Sequence, residues 1–254
     1  MTDHNTEGRT LRTRSVSQGL ALLLAPWAFV LANAGDVLTS VPGQDDTTRR
    51  GALLIAAAHP TAEKWFTFAA MVGCVLLVPA ALGAMSLVRV KAARLGLIGG
   101  ALMIVGYICY FGLLFQGYAT IALAQHGGAS PANIAVQDLT MNQGFFVVVA
   151  LTFVAGNIIG TFVLGLALMR AHVVPGWAAL CILTWPVLHL LGGAWGEVVG
   201  AAVEAVGLGV VGVTLLRSRM RPGELVAAPD TSYPAEAKTQ VISQILARAR
   251  ERTP

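Results

Sequence analysis

Apolar residues run through this chain in long unbroken blocks with brief polar punctuation between them. Six blocks approach or exceed the length that a helix needs to cross a bilayer: residues 17–34, 62–88, 95–124, 145–169, 174–191 and 194–216. That length is about 20 residues, because the hydrocarbon core is roughly 30 Å thick and each helical residue rises about 1.5 Å. The blocks are continuous, without the alternation that a membrane barrel imposes on its strands. The pattern therefore predicts an all-α, polytopic bundle of six transmembrane helices over residues 17–216. A polar tail, residues 1–16, precedes it, and a linker with an amphipathic helix, residues 217–254, follows.

The punctuation carries a direction. Lys and Arg gather on the cytoplasmic side of membrane proteins. Threaded from inside to outside through six spans, the chain leaves fourteen of its seventeen basic residues on one side, and only Arg49, Arg50 and Lys64 on the other. Both termini are expected in the cytoplasm. The first span also admits a second reading. Arg9, Arg12 and Arg14 precede an apolar run that ends in Ala32-Asn33-Ala34, a small-x-small site of the kind signal peptidase cuts. Cleavage would leave five spans; the charge alternation favours the uncleaved anchor.

Between spans, residues 35–61 form a long outer loop with a short helix of its own over 51–58. Asp46 is expected to cap this helix and His59-Pro60 to end it, and it is too short to cross and should lie along the interface. The second outer loop, 126–142, contains Gly127-Gly128 and Pro131. The inner turns at 89–94 and 170–174 are tight and basic. Leu82-Gly83-Ala84 before one and Leu164-Gly165-Leu166 before the other suggest either a repeated hairpin or shared membrane composition. Past the sixth span, 222–234 is punctuated by proline. Residues 235–252 then place Val241, Ile242, Ile245, Leu246 and Ala249 on one stripe, suited to the inner leaflet, to a partner helix or to a solvated tail.

Composition agrees. Of 254 residues, 56% are hydrophobic and 12% are charged. Soluble domains carry about 25% charged residues, so a soluble globule, a disordered chain and a nucleic-acid module are all excluded. The pI of 9.3 follows from the inner arginines. Arginine far exceeds lysine and Ala, Gly and Val abound, a bias that points to a bacterial inner membrane. Cys74, Cys109 and Cys181 lie singly in different spans and read as small packed hydrophobes.

Few motifs carry chemistry. Gly207-Leu-Gly-Val-Val-Gly212 matches the dinucleotide fingerprint, but it lies inside a span with no strand before it and is rejected. No cofactor is expected. Gly96/Gly100, Gly156/Gly160 and Gly196/Gly200 are G-x-x-x-G pairs, which let helix backbones approach closely. They serve packing within the bundle, a homo-oligomer or a membrane-protein partner.

Two carboxyls lie inside a span, Glu197 and Glu204. Seven residues apart, they share a face of one helix. The turn at Gly192-Gly193 puts His189 and Glu197 at similar depth near the outer surface. Glu204 falls roughly 17 Å in, near the midplane, level with Asn157 and with Tyr107 or Tyr110. An ionised side chain there costs at least about 2.5–3.5 kcal/mol. Glu204 must therefore be protonated, be hydrogen-bonded or line a wet cavity.

Three functions follow. One is a non-enzymatic protein acting by helix association through the glycine faces. Another is a small proton-coupled transporter built on Glu204, with Glu197, His189, Asn157, Tyr107 and Tyr110 along its path. The third is a metal-dependent hydrolase drawing ligands from His59, His126 and His189 on the outer side.

Overall fold

The computed structural model describes residues 3–45 and 47–220, with side chains described over 15–45 and 47–218. The chain divides into a unit of Met1–Arg219 and a second of Met220–Pro254. The first holds the helical bundle. The linker expected over 222–234 and the helix expected over 235–252 lie outside the described residues, as does Asp46.

Every regular element described is helical: α1 Asp3–Leu38, α2 Arg49–Ala58, α3 Pro60–Val88, α4 Ala93–Gln125, α5 Pro131–Met141, α6 Gly144–Ala155, a π turn Gly156–Gly160, α7 Thr161–Ala171, α8 Gly176–Leu191 and α9 Gly193–Met220. Five helical stretches are long and apolar enough to cross a membrane: Ser15–Leu38, Pro60–Val88, Ala93–Gln125, Gly144–Ala171 and Gly193–Ser218. The chain is a multi-pass membrane protein. The fifth expected span, 174–191, is the 16-residue helix α8, which rises only about 24 Å.

The loops over 35–61 and 126–142 hold more helix than the sequence pattern suggested. The short helix expected over 51–58 begins at Arg49, capped by the Thr48 hydroxyl, which accepts from the Gly51 amide. The second loop contains α5, capped by Ser130 and opened by Pro131. Arg49 Nε donates to Asp138 Oδ1 at 3.2 Å and so joins α2 to α5.

The bundle closes on itself. α1 packs on α3, α3 on α4, α4 on the α6–α7 span, and α7 on α8. Gly207 of α9 meets the Ala178 carbonyl of α8, and Gly19 of α1 meets Leu216 of α9. Small residues make these approaches, as expected where lipid removes the hydrophobic drive between helices and close packing replaces it. A methyl at Gly156 would lie 2.5 Å from Gly106 Cα, and one at Gly99 would lie 2.5 Å from the Leu164 nitrogen. Inside, Leu22, Val88, Leu164, Leu168, Ile182, Val211 and Leu215 are buried. Outside, the exposed positions are largely apolar, including Leu24, Leu31, Phe145, Val148, Leu151 and Leu190. Trp65, Trp177 and Trp195, each near a helix start, are also exposed, as in the aromatic belts at membrane interfaces.

Candidate functional site

Several polar groups of the bundle interior form a connected series. At its centre is Asn157, 3% exposed, inside the π turn. π turns are rare insertions into α-helices and recur at functional sites. This one is flanked by Gly156 and Gly160, whose bare backbones press on Gly106 and Met103 of α4. Asn157 Oδ1 accepts two hydrogen bonds, from the Tyr107 hydroxyl at 2.7 Å and from the Trp185 indole nitrogen at 3.3 Å. One amide oxygen thereby ties α4, the π turn and α8 together.

Aromatic rings pack around this point. Phe29 lies 5.0 Å from Tyr107, and Tyr110 stacks on Phe153 at 4.2 Å. Toward the turn between α8 and α9, Trp185 packs on His189 at 4.8 Å. His189 Nδ1 stands 3.6 Å from Glu197 Oε1, within ion-pair range and just beyond a hydrogen bond. Asn33 of α1 donates to the Glu197 backbone carbonyl at 3.5 Å.

Glu204 occupies the inward face of α9, 8% exposed, above a buried stripe of Leu208, Val211 and Leu215. Its carboxyl is close enough to Tyr107 to interact electrostatically, and no hydrogen bond from a described residue reaches it. No described hydrogen bond joins Glu204 to Asn157, whose side-chain oxygen is held by Tyr107 and Trp185. Thr161, one turn beyond Asn157, is fully buried with its hydroxyl unpartnered.

The structure thus brings Tyr107, Asn157, His189 and Glu197 into one series and sets Glu204 beside it. Tyr110 borders the series through ring contacts alone. Trp185 was missed from sequence, although a buried indole N–H usually finds an acceptor, and a tryptophan well inside an apolar span announces that need.

The other expected residues are placed differently. All six glycines of the G-x-x-x-G pairs face their own chain: Gly96 meets Val88, Gly100 meets Met85, Gly156 and Gly160 meet α4, Gly196 meets the Leu188 carbonyl and Gly200 meets Trp185. The histidines do not converge. His59 caps α2, His126 caps α4 with its ring against the Ala122 carbonyl, and His189 pairs with Glu197. Among the described residues no three His, Cys, Asp or Glu side chains gather in a metal-holding group. The ligand set of the metal-hydrolase reading is therefore not assembled.

A second polar feature lies at the C-terminal ends of α1 and α4 and the N-terminal end of α3, where α2 roofs a pocket of about 190 Å³. Asp36 of α1, Thr39 just past its end, Glu63 of α3 and Thr120 of α4 line it. The Thr39 hydroxyl lies 2.7 Å from Glu63 Oε1 and 2.8 Å from the Gly35 carbonyl.

Comparison of the chain with protein-family models, with curated proteins and with solved structures finds no match.

Proposed function

We propose that this chain is a six-span protein of a bacterial inner membrane with both termini in the cytoplasm, and that it moves protons across the membrane by way of Glu204. Supporting the sixth span, α8 is bracketed by exposed Trp177 at its start and exposed Trp195 just after it, positions that suit the two interfaces. Snorkelling and local thinning of the bilayer accommodate a short helix at modest cost. Burial of Leu22 and Ala25 of α1 inside the bundle supports retention of the first span.

The observation that carries the proposal is a carboxyl buried near the midplane with no hydrogen bond from a described residue. Ionisable groups at that depth default to proton or ion pathways. Glu197 and His189 form the outer approach, and Trp185, Asn157 and Tyr107 line the way to Glu204. Below it, Leu208, Val211 and Leu215 close the inner side, so release inward requires helix movement. The α4 contact with the π turn suits that movement: backbones meet at Gly99, Gly106, Gly156 and Gly160 with few side chains to interlock. The association reading is set behind this one because its glycine faces are occupied within the chain.

The test is proton flux into liposomes containing the purified chain and an internal pH-sensitive dye, driven by an imposed membrane potential. The parent protein should acidify the interior, and Glu204→Gln should abolish the signal while far-UV circular dichroism stays unchanged. Parent-like flux in the variant, or a parent no faster than empty liposomes, would overturn the proposal.

A further inference from the structure

A groove of about 460 Å³ runs between α1 and α3. Ala28 and Leu31 of α1 and Trp65, Phe68, Ala69 and Val72 of α3 line it, and among the described residues no charged side chain does. Ala28 and Ala69 are too small to fill the space. Trp65 and Phe68, in edge contact at 6.0 Å, stand exposed beside it. From Trp65 to Val72 the groove extends about 10 Å along the helix, at a rise of about 1.5 Å per residue. Its lining falls within Ser15–Leu38 and Pro60–Val88, two of the stretches long and apolar enough to cross a membrane, so what adjoins it is lipid. Left unfilled, the walls would forfeit their dispersion contacts on one side.

We infer that this groove binds an anionic glycerophospholipid, with an acyl chain lying between α1 and α3 and the phosphate meeting Lys64. Lys64 is exposed, and it precedes Phe68 and Val72 at four-residue steps along one stripe of α3. Helical side chains lean toward the N-terminus. That lean takes the ammonium past the groove to headgroup level while its stem covers apolar surface. Trp65 marks the same level, because an exposed tryptophan near a helix start suits the membrane interface. Its indole N–H offers a second donor to phosphate or ester oxygen. The charge favours a net anionic lipid over a zwitterionic one. Among the described residues no carboxylate lines the groove to hold an ammonium group. Glu63, next to Lys64, belongs to the pocket under α2, where its Oε1 accepts from the Thr39 hydroxyl at 2.7 Å. The inference does not rest on proton movement through Glu204.

Brominated lipids test it, because bromine on an acyl chain quenches tryptophan fluorescence at contact range. The purified chain is placed in bilayers of phosphatidylcholine and phosphatidylglycerol, with bromine on the chains of one lipid or of the other. The quenching lost in Trp65→Phe is the share owed to Trp65. For that share, brominated phosphatidylglycerol should be favoured about fivefold over brominated phosphatidylcholine at equal mole fraction. That factor is the equivalent of the ~1 kcal/mol that one lysine brings beside anionic lipid. The preference should fall to near parity in Lys64→Gln, which alters only an exposed side chain, and in Ala28→Phe, whose ring fills the groove. It should persist in Glu204→Gln. Equal quenching by the two lipids in the parent, a preference for phosphatidylcholine, or a preference retained in Lys64→Gln or in Ala28→Phe would overturn the assignment.

Discussion

The contact between α4 and the π turn makes a sharp prediction, because two glycines on the same helix should respond in opposite directions to the same substitution. A methyl added at Gly106 would sit 2.7 Å from Gly156 Cα, about 0.7 Å short of the 3.4 Å at which ordinary contact begins. The obstacle is backbone, so the helices must part. A gap of about 0.5–1 Å forfeits a quarter to a half of each atom-pair attraction, itself about 0.1–0.2 kcal/mol, and on the order of 40 such pairs gives a loss of about 2 kcal/mol. Better helix propensity returns about 1 kcal/mol. Gly106→Ala should therefore destabilise the chain by about 1–2 kcal/mol, within the usual range for overpacking. Gly112, six residues on, has nothing within 4 Å of its added methyl. Gly112→Ala should be neutral or stabilising by up to about 1 kcal/mol. Unfolding in mixed micelles with increasing dodecyl sulfate, followed by circular dichroism, measures both. If Gly106→Ala is as stable as the parent, or Gly112→Ala falls as far as Gly106→Ala, the close backbone approach is wrong.

The Asn157 oxygen gives a second test. Tyr107→Phe removes one of its two donors and should cost about 0.6 kcal/mol, the average for a hydrogen bond between membrane helices. Asn157→Leu strands both the Tyr107 hydroxyl and the Trp185 indole and should cost more, about 1–3 kcal/mol for each buried group left unpaired. Equal losses in the same unfolding assay would rule out the shared acceptor. A third concerns the turn before α2, where Asp45 Oδ1 accepts from the Thr47 hydroxyl at 2.6 Å and the Thr47 amide at 2.9 Å. These bonds favour the carboxylate and hold its pKa below the ordinary 3.8, the side-chain bond contributing most. The folded value being depressed, the turn is fully supported above pH 3.8 and loses that support as pH falls through the lower value. Carboxyl NMR titration should show the Asp45 midpoint rising in Thr47→Ala; an unmoved midpoint would refute the bond.

Length and hydropathy alone located the long apolar helices, because the requirement to cross lipid is written in consecutive residues. Local chemistry located α2 less well. The cap is Thr48, since its hydroxyl reaches Gly51, and the helix gains two arginines at its start. The apolar pattern reads α5 as loop, although Ser130-Pro131 is the usual opening of a helix, a cap followed by proline in the first turn. Depth counting puts His189 and Glu197 at similar height and Asn157 level with Tyr107 or Tyr110, because rise per residue fixes height. It could not fix rotation. Which groups at one height meet depends on how the helices turn about their axes, and that is set by glycine contacts far apart in sequence. Hence Trp185, and not Glu204, shares Asn157 with Tyr107. The π turn was equally hidden: one extra residue in a helical turn leaves the apolar pattern of the span unchanged.

The same contacts bear on how the two polar regions are related. α1 touches both: Asn33 reaches the Glu197 carbonyl on α9, while Asp36 and Thr39, three and six residues later, line the pocket shared with α3 and α4. Pro26 lies inside α1 below all three. Its missing N–H leaves the Leu22 carbonyl without its helical partner, and its ring favours a kink. The segment of α1 after Pro26 is therefore the part of that helix best able to swing while Leu22 and Ala25 stay buried.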